Sequence, residues 1–370
     1  MLDDKGTSFS GPLTIYFVGY FATMFANGMF LKDLYDYAPH YGITNWEINN
    51  LWFINIPASF VPLVYYNSYK GVGDKLTVMS RVFMKHGLAT GNEGKIYKGV
   101  RVKIIIFNML AFLSCSFFTV TFGIYVPIEH ITDASQVIVF SCCILSYYVF
   151  LPPISSASLE LILFTLGVIK ESLQYLDTFA QGLLDGGKVH FMRKSGIKKV
   201  ISDGYELSYS MKEAEEMFGG MIACIYILYN IMITCGLFFG VDFLGVLVGS
   251  TISGGLLFCS LSIISSAVLG FTILYQLLQI GQELSDNYQS ICDKLEQLLI
   301  EEAENMSTRQ RTEMDVLINR FAHTTPLRPK NTFDMNYATG ASLGGLILTY
   351  VIVLVQFKDS GSAPSAALAG

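Results

Sequence analysis

The sequence has 370 residues, of which 52% are hydrophobic and only 15% charged, and its formal net charge is −6 at pH 7. Because soluble domains carry about 25% charged residues, this composition excludes an ordinary soluble protein and predicts an integral membrane protein. We expect no nucleic-acid partner. The first ten residues contain one lysine and two aspartates instead of a basic region, so no cleavable signal peptide is predicted.

Seven stretches are apolar and long enough to cross a bilayer, which takes about 20 residues per helix. They are residues 11–31, 46–66, 104–127, 135–168, 219–240, 243–280 and 335–357. The fourth and sixth exceed a simple crossing, so we expect both to continue as helices into the aqueous phase. The Gly/Ser-rich patch at 249–255 could bend the sixth span, but no charged or turn-like break indicates an eighth.

Lysine and arginine are concentrated in three loops, which sets the orientation in the membrane. The segments 67–103, 169–218 and 281–334 hold all but three of the 24 basic residues. Basic loops face the cytoplasm, and these loops follow spans two, four and six. The N-terminus is therefore predicted inside and the C-terminus outside. A G-protein-coupled receptor has the opposite orientation and is excluded, because the remaining connections, such as 241–242 between spans five and six, are almost free of basic residues.

No Asp, Glu, Lys, Arg or His lies near the middle of a predicted span. Ionisable residues inside a membrane mark proton relays and catalytic centres, so a proton-coupled transporter, a retinal protein and an intramembrane hydrolase are not expected. The five histidines are scattered without metal-binding spacing. We expect neither an enzyme nor a bound metal or cofactor.

Spans two to four carry aromatic and amide side chains in the halves predicted to face outwards. Aromatic walls with a few hydrogen-bonding groups are what a pocket for a small organic ligand requires. The candidate ligand-binding residues are Asn49, Trp52, Asn55, Phe118, Tyr125, Gln136, Tyr147 and Tyr148, with Ser250 and Thr251 of the Gly/Ser-rich patch. Trp and Tyr also anchor helices at membrane interfaces, so packing and anchoring remain alternatives for each of them.

Two segments beyond the fourth and sixth spans show amphipathic helical periodicity. Their apolar residues recur at steps of three and four: Leu173, Leu176, Phe179 and Leu183, then Leu284, Tyr288, Ile291, Leu295, Leu298 and Leu299. The two patterns predict a cytoplasmic helical bundle. This bundle either joins subunits or packs within one chain, and periodicity does not separate the two.

The last span ends in TYVIVLVQF, residues 349–357, which keeps polar side chains among aliphatic ones. Thr349, Val353 and Gln356 fall on one helical face, and Tyr350, Val353 and Phe357 on a neighbouring one. If several copies of this helix surround an axis, Gln356 forms a polar ring and Val353 or Phe357 an apolar one. Such rings select the permeating ions and gate the passage in channel pores. In a single chain, Gln356 is equally well a packing amide.

The nonapeptide resembles, position for position, the Thr-Tyr, five hydrophobics, Gln-Phe signature that ends insect gustatory receptors. The preceding segment is also similar to that family in His323, Pro326, Phe333 and Asp334. The motif covers about residues 320–357, and the topology covers the whole chain. The short loops and the Gly-rich ATGASLGG depart from the family pattern. Olfactory receptors of the same superfamily and related proteins from outside the insects therefore remain alternatives.

The resemblance implies a ligand-gated, non-selective cation channel of four identical subunits in the plasma membrane. In such a channel the seventh helix lines the pore, Gln356 and Phe357 form the constriction, and Thr349 and Tyr350 hold the helix in register. A small tastant, for which a sugar is one candidate, would bind among the outer halves of the spans. A membrane transporter of the same topology is the alternative from another class.

These expectations give an all-α integral membrane protein with seven transmembrane helices and six regions. The regions are spans one to four with the ligand pocket (1–168), a cytoplasmic helical extension (169–218), spans five and six (219–280), cytoplasmic anchor helices (281–334), the pore-lining span seven (335–357) and a disordered tail (358–370).

Overall fold

The computed structural model describes residues 93–125, 151–185, 190–249, 254–323 and 327–361, with Val18, Phe21 and Phe25, and in parts of these ranges only the backbone. Within them the chain forms six helices, one short 3₁₀ turn and no strand, which confirms the all-α prediction. The elements are α1 (Glu93–Tyr125), α2 (Leu151–Asp185), α3 (His190–Gly249), α4 (Gly254–Glu301), α5 (Thr308–His323), the 3₁₀ turn (Pro329–Asn331) and α6 (Tyr337–Gly361).

Two of the helices are much longer than a membrane crossing. α3 has 60 residues and α4 has 48, which at 1.5 Å per residue correspond to about 90 Å and about 72 Å, whereas the hydrocarbon core is about 30 Å thick. Continuation of the fourth and sixth spans as helices is confirmed, because α2 runs to Asp185 and α4 to Glu301. In the described part of the chain, Ser195–Phe238, Ile264–Glu301 and Tyr337–Gln356 are long and apolar enough to cross a membrane.

The boundary between predicted spans five and six was wrong. The expected connection at 241–242 is helical, because Asp242 lies inside α3, which continues to Gly249, and α4 begins at Gly254. α3 therefore ends and α4 begins within the Gly/Ser-rich patch, so the chain has two helices here instead of one bent helix. Glycine and serine have low helix propensity, and several of them in succession end a helix where one aspartate does not.

α4 is the centre of the described helices, since it packs against α1, α2, α3, α5 and α6. The stripe predicted on it is buried: Leu284, Ile291 and Leu295 are fully enclosed, and they share one apolar cluster with Leu173 and Leu176 of α2. Each buried leucine contributes about 1.5–3 kcal/mol relative to exposure. Both predicted stripes thus contribute to packing within a single chain, and a role of the bundle in joining subunits stays a prediction.

α5 begins at a reciprocal cap that the sequence Ser-Thr-Arg-Gln encodes. The backbone N–H of Gln310 donates to Ser307 Oγ (3.3 Å), and the backbone N–H of Ser307 donates to Gln310 Oε1 (3.1 Å). Such a box satisfies two donors that a helix start leaves open. Further along α5, Phe321 is buried and meets Tyr288 of α4 edge-on, with ring centroids 4.7 Å apart. The cap and this contact fix α5 against α4.

Candidate functional site

α6 contacts the rest of the described chain along one side only. Of the side chains described in α6, Ile347 and Val351 alone are buried, and Leu343 and Leu354 beside them are partly buried. These positions follow one another at steps of four, four and three, so they form one stripe on the helix. The stripe packs against α3 and α4, and the opposite side of α6 is uncovered in the single chain.

That opposite side is small and polar. Ala338, Ser342, Gly345, Thr349 and Gln356 lie along it, and all five are exposed; we call this set the polar face of α6. The hydroxyls of Ser342 and Thr349 donate to the carbonyl oxygens of Ala338 (3.0 Å) and Gly345 (2.9 Å) in their own helix. A hydroxyl that donates within its own helix can still accept hydrogen bonds from water, so the polar face is compatible with water.

Large apolar side chains border the polar face on both sides. Leu346 and Tyr350 lie on one side, 52% and 56% exposed, and Leu348 and Ile352 lie on the other, 59% and 48% exposed. In hydrocarbon the exposed Gln356 amide of the polar face would find no hydrogen-bond partner. The arrangement instead suits a helix that faces water in the centre and apolar neighbours at its borders.

The structure brings two of the five predicted pore residues onto the polar face. Thr349 and Gln356 lie there, Tyr350 lies at its border, and Val353 is half-buried beside it. Phe357 is helical in α6, but its side chain lies outside the described residues. Sequence reasoning missed Ser342 and Gly345, although the steps of four, three and four from Ala338 through these two residues to Thr349 are readable in the sequence.

The segment before α6, residues 327–336, holds the base of that helix against α3 and α4; we call it the α6 linker. Phe333 stacks on Tyr226 of α3 with ring centroids 4.2 Å apart. On the other side, Gly281 of α4 lies so close to Met335 that an added Cβ would collide with the carbonyl oxygen of Met335. Glycine is required there because only a residue without a side chain lets the two backbones approach.

The start of α6 is fixed by hydrogen bonds at the end of the linker. Asn336 Oδ1 accepts from the backbone N–H of Thr339 at 2.9 Å, which is the usual role of an N-cap asparagine. The backbone N–H of Tyr337 donates to Gln282 Oε1 of α4 at 3.3 Å. α6 is therefore fixed at its base, packed along one stripe and exposed along its polar face.

Ion pairs join α2 to α4 in the part of the chain predicted to be cytoplasmic. Lys170 Nζ lies 2.8 Å from Glu283 Oε2. Further along both helices, Lys294 Nζ and Ser290 Oγ donate to the carboxylate of Asp177, each at 2.7 Å. These contacts were not predicted from the sequence. Within the described residues, no group of three His, Cys, Asp or Glu side chains gathers to hold a metal ion.

The described part of the structure does not test the predicted ligand-binding residues. Phe118 and Tyr125 belong to α1, where only their backbone is described, and the other eight lie outside the described residues: Asn49, Trp52, Asn55, Gln136, Tyr147, Tyr148, Ser250 and Thr251. An open cavity of about 420 Å³ lies between α3 and α5 and is lined by Lys198, Ile201, Ser202, Tyr205 and Glu313. This cavity lies in segments predicted to be cytoplasmic, so it is a different feature from the expected ligand pocket.

Comparison with known proteins gives one family, and the similar solved structures include two of one insect receptor. The family described as 7tm Chemosensory receptor matches residues 75–361, whereas a comparison with curated protein sequences finds no match. The insect olfactory receptor OR5 from Machilis hrabei is similar at a TM-score of 0.64 and 13% identity, and its complex with eugenol at 0.63 and 14%. Each alignment covers 93% of this chain and 88% of that one.

At sequence identities this low, the similarity to OR5 shows only a common fold. That fold is the all-helical one expected from the sequence. The family match establishes membership of a family as well as the fold, because it spans well over half of the chain and includes α1 to α6. The expected resemblance to insect chemosensory receptors is confirmed, and the chain belongs to the 7tm chemosensory receptor family.

Proposed function

We propose that this chain is the subunit of a ligand-gated, non-selective cation channel of the plasma membrane that acts as a gustatory receptor for a small molecule. Four copies surround a central axis, and α6 of each copy lines the passage. The observation that carries the proposal is the polar face of α6, which the single chain leaves uncovered while it buries the opposite stripe.

A ring of four α6 helices gives every part of the exposed surface a suitable environment. The polar face meets water at the axis, and the apolar borders pack against the neighbouring copies, where van der Waals contacts of Leu348 and Tyr350 stabilise the assembly. Gln356 then forms an uncharged polar ring near the end of the passage. No Asp or Glu lies between Tyr337 and Gln356, so the pore has no acidic ring to favour divalent cations.

Ligand binding opens this channel by favouring an arrangement in which the α6 helices stand further apart. The pocket is formed by the aromatic and amide residues of the outer halves, and a sugar is one candidate ligand because of the asparagines of span two. The similarity to OR5, whose complex with eugenol has been solved, supports an olfactory-type channel subunit as the second candidate function.

Cysteine accessibility along α6 tests the proposal. The full-length chain is expressed in oocytes and exposed to a panel that includes sugars and eugenol, and current is recorded before and after a membrane-impermeant thiol reagent. We expect Thr349→Cys to be blocked in the presence of an activating ligand, because its side chain faces the passage. Leu348→Cys is the matched control, since it is the adjacent residue and lies at the apolar border, and its current should persist.

Each outcome of this experiment is informative. Activation by sugars supports the gustatory assignment, and activation by eugenol alone supports the olfactory type. Equal modification of both cysteine variants would contradict the assignment of the polar face to a pore. Saturable uptake of a substrate without single-channel events would identify a transporter and overturn the channel proposal.

A further inference from the structure

The exposed side of α1 changes abruptly from basic to apolar. Lys95, Lys98 and Arg101 are all exposed and recur at steps of three, so they share one side of the helix. Directly after Arg101 the same side becomes a strip of large exposed apolar side chains: Val102, Ile105, Ile106, Met109, Phe112 and Leu113. The change therefore takes place within a single turn.

The three cations have no acidic neighbour in the part of the chain that the structure describes. Glu93, the first residue of α1, is the one acidic residue of that helix, and no described carboxylate lies within ion-pair distance of Lys95, Lys98 or Arg101. Among the described residues, nothing therefore competes with an external anion for their charges. The positive end of the α1 dipole lies beside them and adds to the same potential.

Lys103, a fourth basic residue of α1, differs from the three exposed cations in its surroundings. Lys103 is turned towards the interior, where burial lowers its pKa and the nearby Glu283 carboxylate acts in the opposite direction. Glu283 itself is paired with Lys170. Lys103 therefore belongs to the internal network of α2 and α4, and the outward-facing cations form a separate group.

We propose that Lys95, Lys98 and Arg101 bind anionic phospholipid headgroups of the cytoplasmic leaflet, with the lipid acyl chains lying along the apolar strip of α1. The cations span about 9 Å along the helix axis at 1.5 Å per residue, comparable with the headgroup layer, which is about 5–8 Å deep on each side. Tyr97, 48% exposed at the same level, is of the type that anchors helices at this depth.

This interaction goes beyond the proposed channel activity and rests on the predicted orientation, in which the start of α1 is cytoplasmic. Anionic lipids are concentrated in that leaflet, and each basic residue near such a surface strengthens binding by roughly fivefold. Three cations that have no ion-pair partner among the described residues are therefore expected to enrich an anionic lipid at this position over phosphatidylcholine by up to about a hundredfold.

A fluorophore beside the cations tests the proposal at the site itself. Gly99 is exposed, and a Cβ added to it meets no atom within 4 Å, so Gly99→Cys accepts a label without disturbing the helix packing. The full-length protein, with its reactive native cysteines replaced, is reconstituted with brominated phosphatidylserine or brominated phosphatidylcholine. We expect stronger quenching by phosphatidylserine, and loss of this preference in Lys95→Gln/Lys98→Gln/Arg101→Gln.

A matched control removes the same charge elsewhere. Lys198→Gln/Lys212→Gln/Arg311→Gln neutralises three exposed cations on α3 and α5 and should keep the preference. Replacement of Lys95 and Lys98 by arginine should also keep it, and thermal melting of every variant verifies that it is folded. Equal quenching by the two lipids in the parent protein, or equal loss in the control, would overturn the proposal.

A separate experiment tests the predicted orientation, in which the start of α1 is cytoplasmic. A cysteine at Gly94, where an added Cβ also meets no atom within 4 Å, should react with an impermeant thiol reagent only after the cells are permeabilised. Reaction in intact cells would place this end of α1 outside and would refute lipid binding at the cytoplasmic leaflet. Ligand-evoked current from the same cells reports on the channel proposal independently.

Discussion

Asp177 accepts two short hydrogen bonds across the contact between α2 and α4, from Lys294 Nζ and Ser290 Oγ. The ion pair is only about one-fifth exposed, at 22% for Asp177 and 20% for Lys294, so water screens it less than a surface pair. We expect Asp177→Asn to lower the free energy of unfolding by about 1–2 kcal/mol, because a charged acceptor is lost and Lys294 stays charged. Thermal melting of the purified full-length protein in detergent measures the change.

Asp185→Asn is the control for this prediction, since it makes the same substitution in the same helix. Asp185 is exposed, and Gln181, four residues earlier in its own helix, donates to its carboxylate at 2.9 Å. Its replacement should change the free energy of unfolding by no more than about 0.5 kcal/mol. Equal destabilisation by the two variants would show that the contact with α4 contributes nothing.

Individual residues differ in how far the sequence alone reveals their surroundings. The burial of Leu284 and Ile291 could be predicted, because the periodicity of a helix is local. The pairing of Asp177 with Lys294 could not, because 117 residues separate them and no local pattern encodes which charges meet. The α6 linker is a similar case, since the need for glycine at position 281 arises from a contact with Met335 that only the fold creates.

Whole elements are predicted well where hydropathy changes sharply and poorly where it does not. α6 follows a polar segment, and its start at Tyr337 lies close to the predicted start of span seven at residue 335. The end of α3 lies within a continuous apolar run, so hydropathy offered no boundary there and the short connection was placed too early. Helix propensity, which is low for the Gly/Ser-rich patch, was the better guide at this point.

The attachment of α6 to α4 yields a prediction for these two elements. Gly281→Ala should displace the α6 linker, because the new methyl group collides with the carbonyl oxygen of Met335, and overpacking of this kind costs about 1–3 kcal/mol. We expect a lower melting temperature together with an altered ligand concentration for half-maximal current, since the base of α6 shifts.

The matched control for the linker is Gly182→Ala in α2. A Cβ at Gly182 meets no atom within 4 Å, so the alanine should leave stability unchanged or raise it by up to about 1 kcal/mol through helix propensity. Its current–concentration curve should match that of the parent protein. A Gly281→Ala variant that behaves like this control would refute the close approach of the linker to α4.

At the scale of the whole molecule, the sequence predicted the candidate pore residues but not which side of their helix is uncovered. The nonapeptide at 349–357 indicated the seventh span, and helical geometry alone left two faces open for it. The choice depends on where α3 and α4 lie, because they cover Ile347 and Val351 and leave Thr349 and Gln356 exposed. That arrangement is tertiary and is absent from any local pattern.

A ring of identical chains makes one further prediction about the assembled molecule. With the polar face at the axis, the border that carries Leu348 in one copy meets the border that carries Tyr350 in the next, because contacts in a ring are head-to-tail. Leu348→Cys/Tyr350→Cys should therefore cross-link under mild oxidation into dimers, trimers and tetramers, with no larger species, on a denaturing gel. Leu348→Cys/Val351→Cys is the control, since Val351 is buried within its own chain and cannot reach a neighbour. A ladder that continues beyond four chains would contradict the ring of four, and a ladder that appears equally in the control would mean that the α6 helices do not enclose a shared axis.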